Sequence, residues 1–219
     1  AQQSLVFNDP YARRGGLGAS SAQFVLLAKY LGWTDPWKLW LAYRELTYSP
    51  EGLSPSGADV MAQWLGGITY FEAKTRILER YRWPFPELIL GLIHTGHKVA
   101  THYHLRNINL APVQIERLSK SAFTAKLALQ DGNLSVFIAA LRDYAQQLLQ
   151  LGYVAEHTQR LLAQLRGRRL GLFAKGCGAL GADVVLVILN KQQRAVLARW
   201  CEQQQLQLLY CDNVLAEGV

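Results

Sequence analysis

The sequence is poor in cysteine, in methionine and in long apolar runs. Its 219 residues include three cysteines and one methionine. Because Cys177, Cys201 and Cys211 form no CxxC pair and are odd in number, a disulfide scaffold or zinc site is not expected, and a reducing cytoplasm is. Every apolar stretch ends well short of the ~20 residues that a membrane-spanning helix needs. The chain does not open on a charged segment followed by an apolar one, so no secretory signal is predicted.

Charge is also sparse, and its balance is positive. Only 18% of the residues are charged, 50% are hydrophobic, and the net charge is +7. This composition is typical of a globular protein with a buried core. The positive balance favours an anionic ligand or is simply a basic surface. The densest basic run, Arg166, Arg168 and Arg169, has no interleaved aromatic residues, so neither a nucleic-acid nor a membrane partner is expected.

Hydrophobic periodicity predicts a chain of mixed helices and strands. The predicted helices are 20–31, 36–46, 58–65, 112–128, 132–150, 155–166 and 191–204. The predicted strands are 68–73, 87–96, 169–174, 183–189 and 206–211. The tail therefore alternates strand, glycine-rich loop, strand, helix and strand, which is typical of an α+β or α/β protein.

Three glycine-containing stretches are the candidates for chemistry. In "GGLGASSA", residues 15–22, the glycines and serines before a helix fit either a phosphate-binding loop or a plain turn with an N-cap. In "SPSGAD", residues 54–59, Asp59 is either a base at a cleft wall or the N3 residue of a helix capped by Ser56. In "KGCGALGAD", residues 175–183, the glycines allow a close backbone approach or form a hairpin turn.

Taken together and in this order, the three stretches resemble the conserved motifs of the GHMP kinases. Residues 16–22, Gly-Leu-Gly-Ala-Ser-Ser-Ala, are similar to the family's Gly-Leu-Gly-Ser-Ser-Ala-Ala. Residues 55–59, Pro-Ser-Gly-Ala-Asp, resemble the Pro-Ser-Gly-x-Asp of the mevalonate kinase type, and a Gly-Gly pair follows at 66–67. Residues 175–183 resemble Lys-x-x-Gly-Ala-Gly-Gly-Gly-Asp. The order and spacing of the motifs carry the resemblance more than any single motif does.

The resemblance implies a set of residues that bind ATP and Mg²⁺. Ser20 matches the serine that contacts magnesium and phosphate, and Ser21 stands in for a serine that Ala19 replaces. Glu45 is the candidate for the family's magnesium-binding glutamate, with Glu51 as an alternative. The implied nucleotide-binding residues are Gly15, Gly16, Leu17, Gly18, Ala19, Ser20 and Ser21, with Gly178, Ala179 and Gly181 as a buttress.

The resemblance also implies the acceptor side of the site. Asp59 matches the aspartate that orients or deprotonates the acceptor hydroxyl. The implied substrate-binding residues are Ser56, Gly57, Thr95, Lys98 and Thr101. Lys98 and Thr101 would reach an anionic acceptor. The histidines 94, 97, 102 and 104 fit either a metal site or a structural, substrate-side strand.

Two departures from the family pattern bear on activity. Arg13 and Arg14 stand where a proline usually precedes the loop, and Leu180 and Ala182 interrupt the third glycine run. The family's first motif, a strand pair with Pro-Gly-Lys, is absent from these residues. The resemblance therefore implies that residues are missing or that the chain is no kinase unaided, and that it alone binds ATP poorly.

The sequence thus predicts a two-layer α+β fold like that of the GHMP kinases, with a ferredoxin-like C-terminal half. Residues 1–110 are expected to form part of an N-terminal ATP-binding domain, and residues 111–219 the C-terminal domain. The expected function is ATP- and Mg²⁺-dependent phosphorylation of a small anionic metabolite of the mevalonate or phosphomevalonate type. The alternative is a non-catalytic, GHMP-like binding or regulatory protein. The protein is expected to act as a monomer or homodimer.

Overall fold

The structure is a computed structural model that describes residues 6–8, 18–48, 55–97, 110–178, 181–215 and 217–218. By contacts it divides into two compact units, Ala1–Arg80 with Ala216–Val219 (unit 1) and Tyr81–Leu215 (unit 2). The family-derived domain boundary near residue 110 stays a prediction. No helix among the described residues has both the length and the apolar character needed to cross a bilayer.

Unit 1 is built on three short helices. They are α1 (Ala19–Tyr30), α2 (Pro36–Leu46) and α3 (Ala58–Leu65). The start of α2 is where the sequence predicts it, because Asp35 Oδ1 accepts from Trp37 N at 2.8 Å and Pro36 opens the helix. Side chains from all three helices share one core, made of Val25, Ala28, Leu39, Tyr43, Val60 and Trp64.

A two-stranded ribbon follows α3. It consists of β1 (Ile68–Glu72) and β2 (Ile77–Tyr81). The prediction placed a strand at β1 but missed β2. Glu79 and Arg80 break the apolar pattern of β2, and its pairing with β1 supplies the hydrogen bonds that the pattern does not reveal.

Unit 2 contains a four-stranded antiparallel sheet. Its strands are β3 (Leu88–His94), β4 (Phe173–Cys177), β5 (Val184–Asn190) and β6 (Gln207–Asp212), in the spatial order β4-β5-β3-β6. The prediction of β4 at 169–174 was wrong by several residues, since pairing with β5 extends the strand through Gly176 to Cys177.

Four helices accompany this sheet. They are α4 (Pro112–Gln130), α5 (Leu134–Gln150), α6 (Glu156–Gly167) and α7 (Arg194–Gln203). The main core of unit 2 joins α6 and α7 to the sheet through residues such as Leu165, Leu197, Val185 and Ile93. The strand order and the helices between the strands form a split β-α-β-β-α-β arrangement, so the predicted α+β class and ferredoxin-like half are confirmed.

Candidate functional site

Gly18 forms the turn that leads into α1. Its φ of +69° lies in the left-handed region that favours glycine, and a Cβ there would lie 2.7 Å from Gln63 Nε2. The Gly18 carbonyl accepts hydrogen bonds from Gln63 Nε2 at 3.0 Å and from Ser21 Oγ at 2.8 Å. The turn is therefore held in place by α3, on which Gln63 lies, and its left-handed conformation favours glycine.

The two serines after this turn face different surroundings. Ser21 is fully buried, and its hydroxyl proton is used within the turn by the Gly18 carbonyl. Ser20 is exposed. Among the described residues, the first turn of α1 has no side-chain cap and no acidic residue, and its backbone N–H groups and positive dipole end favour an anion. Ser20 is the hydroxyl of the pair that a ligand there can reach.

Asp59 lies in the first turn of α3, where the helix dipole favours a carboxylate. The N-cap of α3 is Gly57, with φ +69°, so Asp59 is the N2 residue and the sequence-based N3 position was wrong by one. Ser56 Oγ accepts from Ala58 N at 3.3 Å. Its hydroxyl thus supports the start of the helix although Ser56 is not the cap.

Two side chains of α2 donate hydrogen bonds to the Pro55–Gly57 turn. Trp40 Nε1 donates to the Ser56 carbonyl at 2.7 Å, and Arg44 Nε donates to the Pro55 carbonyl at 3.1 Å. The Arg44 guanidinium lies 4.6 Å from the Trp40 ring centroid. A Cβ on Gly57 would lie 2.6 Å from Trp40 Cδ1, so the turn sits directly on the indole.

Tyr43 joins the α1 turn to Asp59. Burial raises the pKa of its hydroxyl, the nearby Asp59 carboxylate raises that pKa further, and a hydrogen bond with the Ser20 side chain lowers it. The ring packs against Phe24 with centroids 5.3 Å apart. The structure therefore brings Ser20 and Asp59 to one buried tyrosine.

Glu45 is not part of this group. Two residues along a helix correspond to a rotation of about 200°, so Glu45 lies on the face of α2 roughly opposite Tyr43. There it lines a cleft with residues that include Trp33, Trp37 and Arg76. Among the described residues, no group of three or more His, Cys, Asp or Glu side chains is arranged to hold a metal ion.

The third glycine stretch forms the β4–β5 hairpin of unit 2. Gly178 and Gly181 have φ values of +86° and +60°. A Cβ on Gly176 would lie 2.3 Å from the Gly181 carbonyl oxygen, and one on Gly178 would lie 2.3 Å from Asp183 Oδ2. The buried Thr158 donates to the Gly181 carbonyl at 2.9 Å. The hairpin alternative is thus correct as a description of the backbone, and the glycines allow its two arms to touch.

Thr95 is bound to the same hairpin. Its hydroxyl contacts the Ala182 and Asp183 carbonyls, the latter at 3.1 Å, and its N–H donates to the Asp183 carbonyl at 3.1 Å. The ring of His157 contacts the Ala182 carbonyl at 3.1 Å and stacks on His97 with centroids 4.3 Å apart. Thr95, predicted on the substrate side, thus fixes the backbone of the glycine hairpin.

Several predicted residues lie outside the part of the chain that the structure describes. They are Gly15, Gly16, Leu17, Glu51, Lys98, Thr101, His102, His104 and Ala179. Their roles stay predictions.

Sequence reasoning missed four residues that build these turns: Trp40, Tyr43, Arg44 and Thr158. Trp40, Tyr43 and Arg44 are spaced three and four apart, which places them on one face of α2. That spacing indicates a packed face, but it does not show which turn the face packs against. No sequence signal distinguishes Thr158 from other threonines.

Comparison with known proteins gives structural matches alone: no family model and no curated protein matches the sequence. Phosphomevalonate kinase from Streptococcus pneumoniae, in complex with phosphomevalonate and AMPPNP, superposes with a TM-score of 0.74 at 17% identity over 94% of this chain and 71% of that one. L. major mevalonate kinase in complex with R-mevalonate gives 0.69 at 18% identity, over 92% and 66%. Homoserine kinase from Cytophaga hutchinsonii gives 0.67 at 14% identity, over 96% and 69%.

The chain therefore has the fold of the GHMP kinases, as the motifs predicted. It spans about two thirds of the length of these kinases. At identities below 20% the likeness concerns the fold, and activity has to be argued from the residues.

Proposed function

We propose that this protein is an ATP- and Mg²⁺-dependent kinase that phosphorylates an alcohol or phosphate group of a small anionic metabolite of the mevalonate or phosphomevalonate type. The observation that carries the proposal is that Ser20 and Asp59 both lie near Tyr43: Ser20 hydrogen-bonds to its hydroxyl, and the Asp59 charge raises its pKa. It couples a hydroxyl at one helix N-terminus to a carboxylate at another. Phosphoryl transfer needs this pairing, because one group must bind the donor's phosphates while a base faces the acceptor hydroxyl.

The α1 turn fits a nucleotide phosphate. Gly18 adopts a left-handed conformation that favours glycine, and the first turn of α1 after it has no acidic residue. Ser20 would contact the phosphate and its Mg²⁺, and Gly178, Ala179 and Gly181 complete the proposed nucleotide-binding residues. When bound, ATP supplies the phosphoryl group and Mg²⁺ offsets its charge.

Asp59 is the proposed catalytic residue. Its carboxylate would accept the proton of the acceptor hydroxyl as the phosphoryl group is transferred. Trp40 and Arg44 hold the preceding turn, so Asp59 has a fixed backbone from which to act. Ser56 and Gly57 in that turn, with Lys98 and Thr101, are the proposed acceptor contacts, and the net charge of +7 favours an anionic acceptor.

The test is an ADP-release assay at millimolar ATP with Mg²⁺, run on mevalonate, phosphomevalonate and homoserine. We expect acceptor-dependent ADP release with one of the first two. The matching product signal in ³¹P NMR is a phosphomonoester from mevalonate and a diphosphate from phosphomevalonate. Asp131→Asn is the matched control for an aspartate substitution, since Asp131 is an exposed residue at the end of α4. Absence of any acceptor-dependent ADP would contradict the kinase proposal.

A non-catalytic binding protein with this fold is the second candidate. The observation that favours it is the position of Glu45, the first candidate for the magnesium-binding glutamate, on the face of α2 away from Tyr43. In that case calorimetry should show binding of mevalonate or phosphomevalonate without ADP formation. Asp59→Asn should then leave that binding unchanged.

A further inference from the structure

Unit 2 contains a cavity whose lining shares only Gly178 and Gly181 with the residues of the proposed kinase function. It has a volume of about 1010 Å³ and lies among α5, α6, β4 and the segment that joins α6 to β4. Binding sites for small molecules span roughly 300–1,000 Å³. The cavity is therefore large enough for a small organic ligand.

The inner wall of the cavity is apolar. Buried or half-buried side chains of α5, α6 and β4 form it, including Leu149, Leu162, Leu165, Leu172 and Phe173. Removing such surface from water favours the burial of an apolar ligand body. The wall alone would accept many apolar groups, so the selectivity has to come from the charges around it.

Those charges are predominantly positive. Four cationic side chains line the cavity: Arg142, Arg166, Arg169 and Lys175. The arginines are exposed and Lys175 is half-buried. None of the four forms an ion pair with a described residue. Cations gathered without counter-charges repel one another, and an anionic ligand relieves that repulsion.

The lining contains one carboxylate, Asp143, against these four cations. Asp143 Oδ2 accepts hydrogen bonds from Ser121 Oγ at 2.5 Å and from Gln147 Nε2 at 2.8 Å. The first bond joins α4 to α5, and the second lies within α5. Four positive charges and one negative charge give the lining a formal net charge of +3.

Two of the cations, Arg142 and Lys175, donate hydrogen bonds to backbone carbonyls. Arg142 Nη2 donates to the Leu172 carbonyl at 2.6 Å, which fixes the guanidinium at the rim. Arg169 has φ +53°, a conformation that favours glycine, so an arginine stands there at a conformational cost. Lys175 Nζ lies 5.8 Å from the centroid of the Tyr144 ring and donates to the Gly176 carbonyl at 2.8 Å. Burial raises the pKa of Tyr144, which keeps that ring neutral beside the lysine.

We propose that this cavity is a second binding site, for a small organic anion with an apolar body and a phosphate or carboxylate head. The apolar body lies against Leu149 and Leu162, and the head lies between Lys175 and the arginines of the rim. Guanidinium groups bind both heads through paired hydrogen bonds. The site lies within unit 2 and does not depend on the proposed kinase activity.

The test uses hexyl phosphate as the probe, measured by calorimetry on the full chain. Inorganic phosphate and 1-hexanol supply the head and the body alone, and each should bind at least roughly tenfold more weakly. Comparing hexanoate with hexyl phosphate shows whether the site prefers a carboxylate or a phosphate head. Tight binding of either compound supports the site. Hexyl phosphate that binds no better than inorganic phosphate or hexanol would overturn it.

Variants locate the bound probe. Lys175→Met should weaken hexyl phosphate binding roughly tenfold, and Arg166→Gln serves as the second variant if the first fails to fold. Arg160→Gln is the matched control, because Arg160 lies on α6 in an exposed pair with Glu156 at 3.7 Å. Ser20→Ala separates this site from the proposed nucleotide turn and should leave binding unchanged. The proposal would be contradicted if Lys175→Met or Arg166→Gln bound hexyl phosphate as tightly as wild type does. It would also be contradicted if Ser20→Ala weakened hexyl phosphate binding.

Discussion

The indole of Trp40 donates a 2.7 Å hydrogen bond to the carbonyl of Ser56, sixteen residues along the chain. This bond joins the buried face of α2 to the turn that starts α3. Because Asp59 follows in the first turn of α3, the bond also sets the backbone from which the proposed base projects.

Trp40→Phe should lower the free energy of unfolding by about 1–3 kcal/mol, because the Ser56 carbonyl loses a part-buried donor while most of the ring packing is kept. Urea denaturation measures the change. Trp33→Phe is the control, since the described residues accept no hydrogen bond from the Trp33 indole and it only packs against the same core. Equal losses in the two variants would show that packing, and not the hydrogen bond, holds the turn.

Gly57→Ala and Gly32→Ala separate backbone strain from steric clash. Both glycines have positive φ, +69° and +75°, so both variants pay about 1 kcal/mol for the left-handed conformation. A Cβ on Gly57 also lies 2.6 Å from Trp40, whereas one on Gly32 meets nothing within 4 Å. We therefore expect Gly57→Ala to be the more destabilising variant in thermal unfolding. A Gly32→Ala loss as large as that of Gly57→Ala would contradict the described packing of the turn on Trp40.

The start of α2 was predictable, whereas the tyrosine that joins the proposed site was not. Asp35 and Pro36 act locally, through a cap and a fixed φ, so the sequence alone determines where that helix begins. Tyr43 has the spacing of any core aromatic residue. Its proximity to Ser20 and Asp59 arises only when three helices pack, and no local pattern encodes that packing.

The same distinction explains the errors in the strands. The expected position of β4 follows the apolar residues at 169–174, but Lys175 and Gly176 pair with Leu186 and Val185 of β5. Gly176 has low strand propensity. A residue without a Cβ is nevertheless needed there, because the Gly181 carbonyl approaches it closely. The pairing of the two arms of the hairpin thus decided where this strand ends.

Thr158→Val should loosen the glycine hairpin of unit 2. The substitution keeps the shape of the side chain but removes the buried donor to the Gly181 carbonyl, which costs about 1–3 kcal/mol. Urea denaturation measures the loss, and hydrogen exchange should show faster opening at 176–183. Thr47→Val is the control, since Thr47 is exposed and donates within its own helix end. Unchanged exchange in Thr158→Val would contradict the role given to Thr158.

Stability should fall at alkaline pH because of Cys201. Burial, with the neighbouring Cys211 thiol, raises the pKa of Cys201 from 9.0 to about 11. The unfolded chain then loses this proton first, so the contribution to stability is complete below about pH 9 and is lost as pH rises through 11. In urea denaturation at several pH values, the free energy of unfolding should decline less steeply with rising pH for Cys201→Ala than for wild type. Cys177→Ala, the control, should keep the wild-type decline, and a parallel course for Cys201→Ala would refute the assignment.

The most direct test of the proposed function is acceptor phosphorylation by Asp59→Asn, followed by ³¹P NMR at millimolar ATP with Mg²⁺. The variant keeps the shape of the side chain and removes the base, so we predict a loss of about 10²–10⁴-fold in turnover, with unfolding and acceptor affinity unchanged. Asp131→Asn should match wild type. Turnover by Asp59→Asn at the wild-type rate would contradict the account.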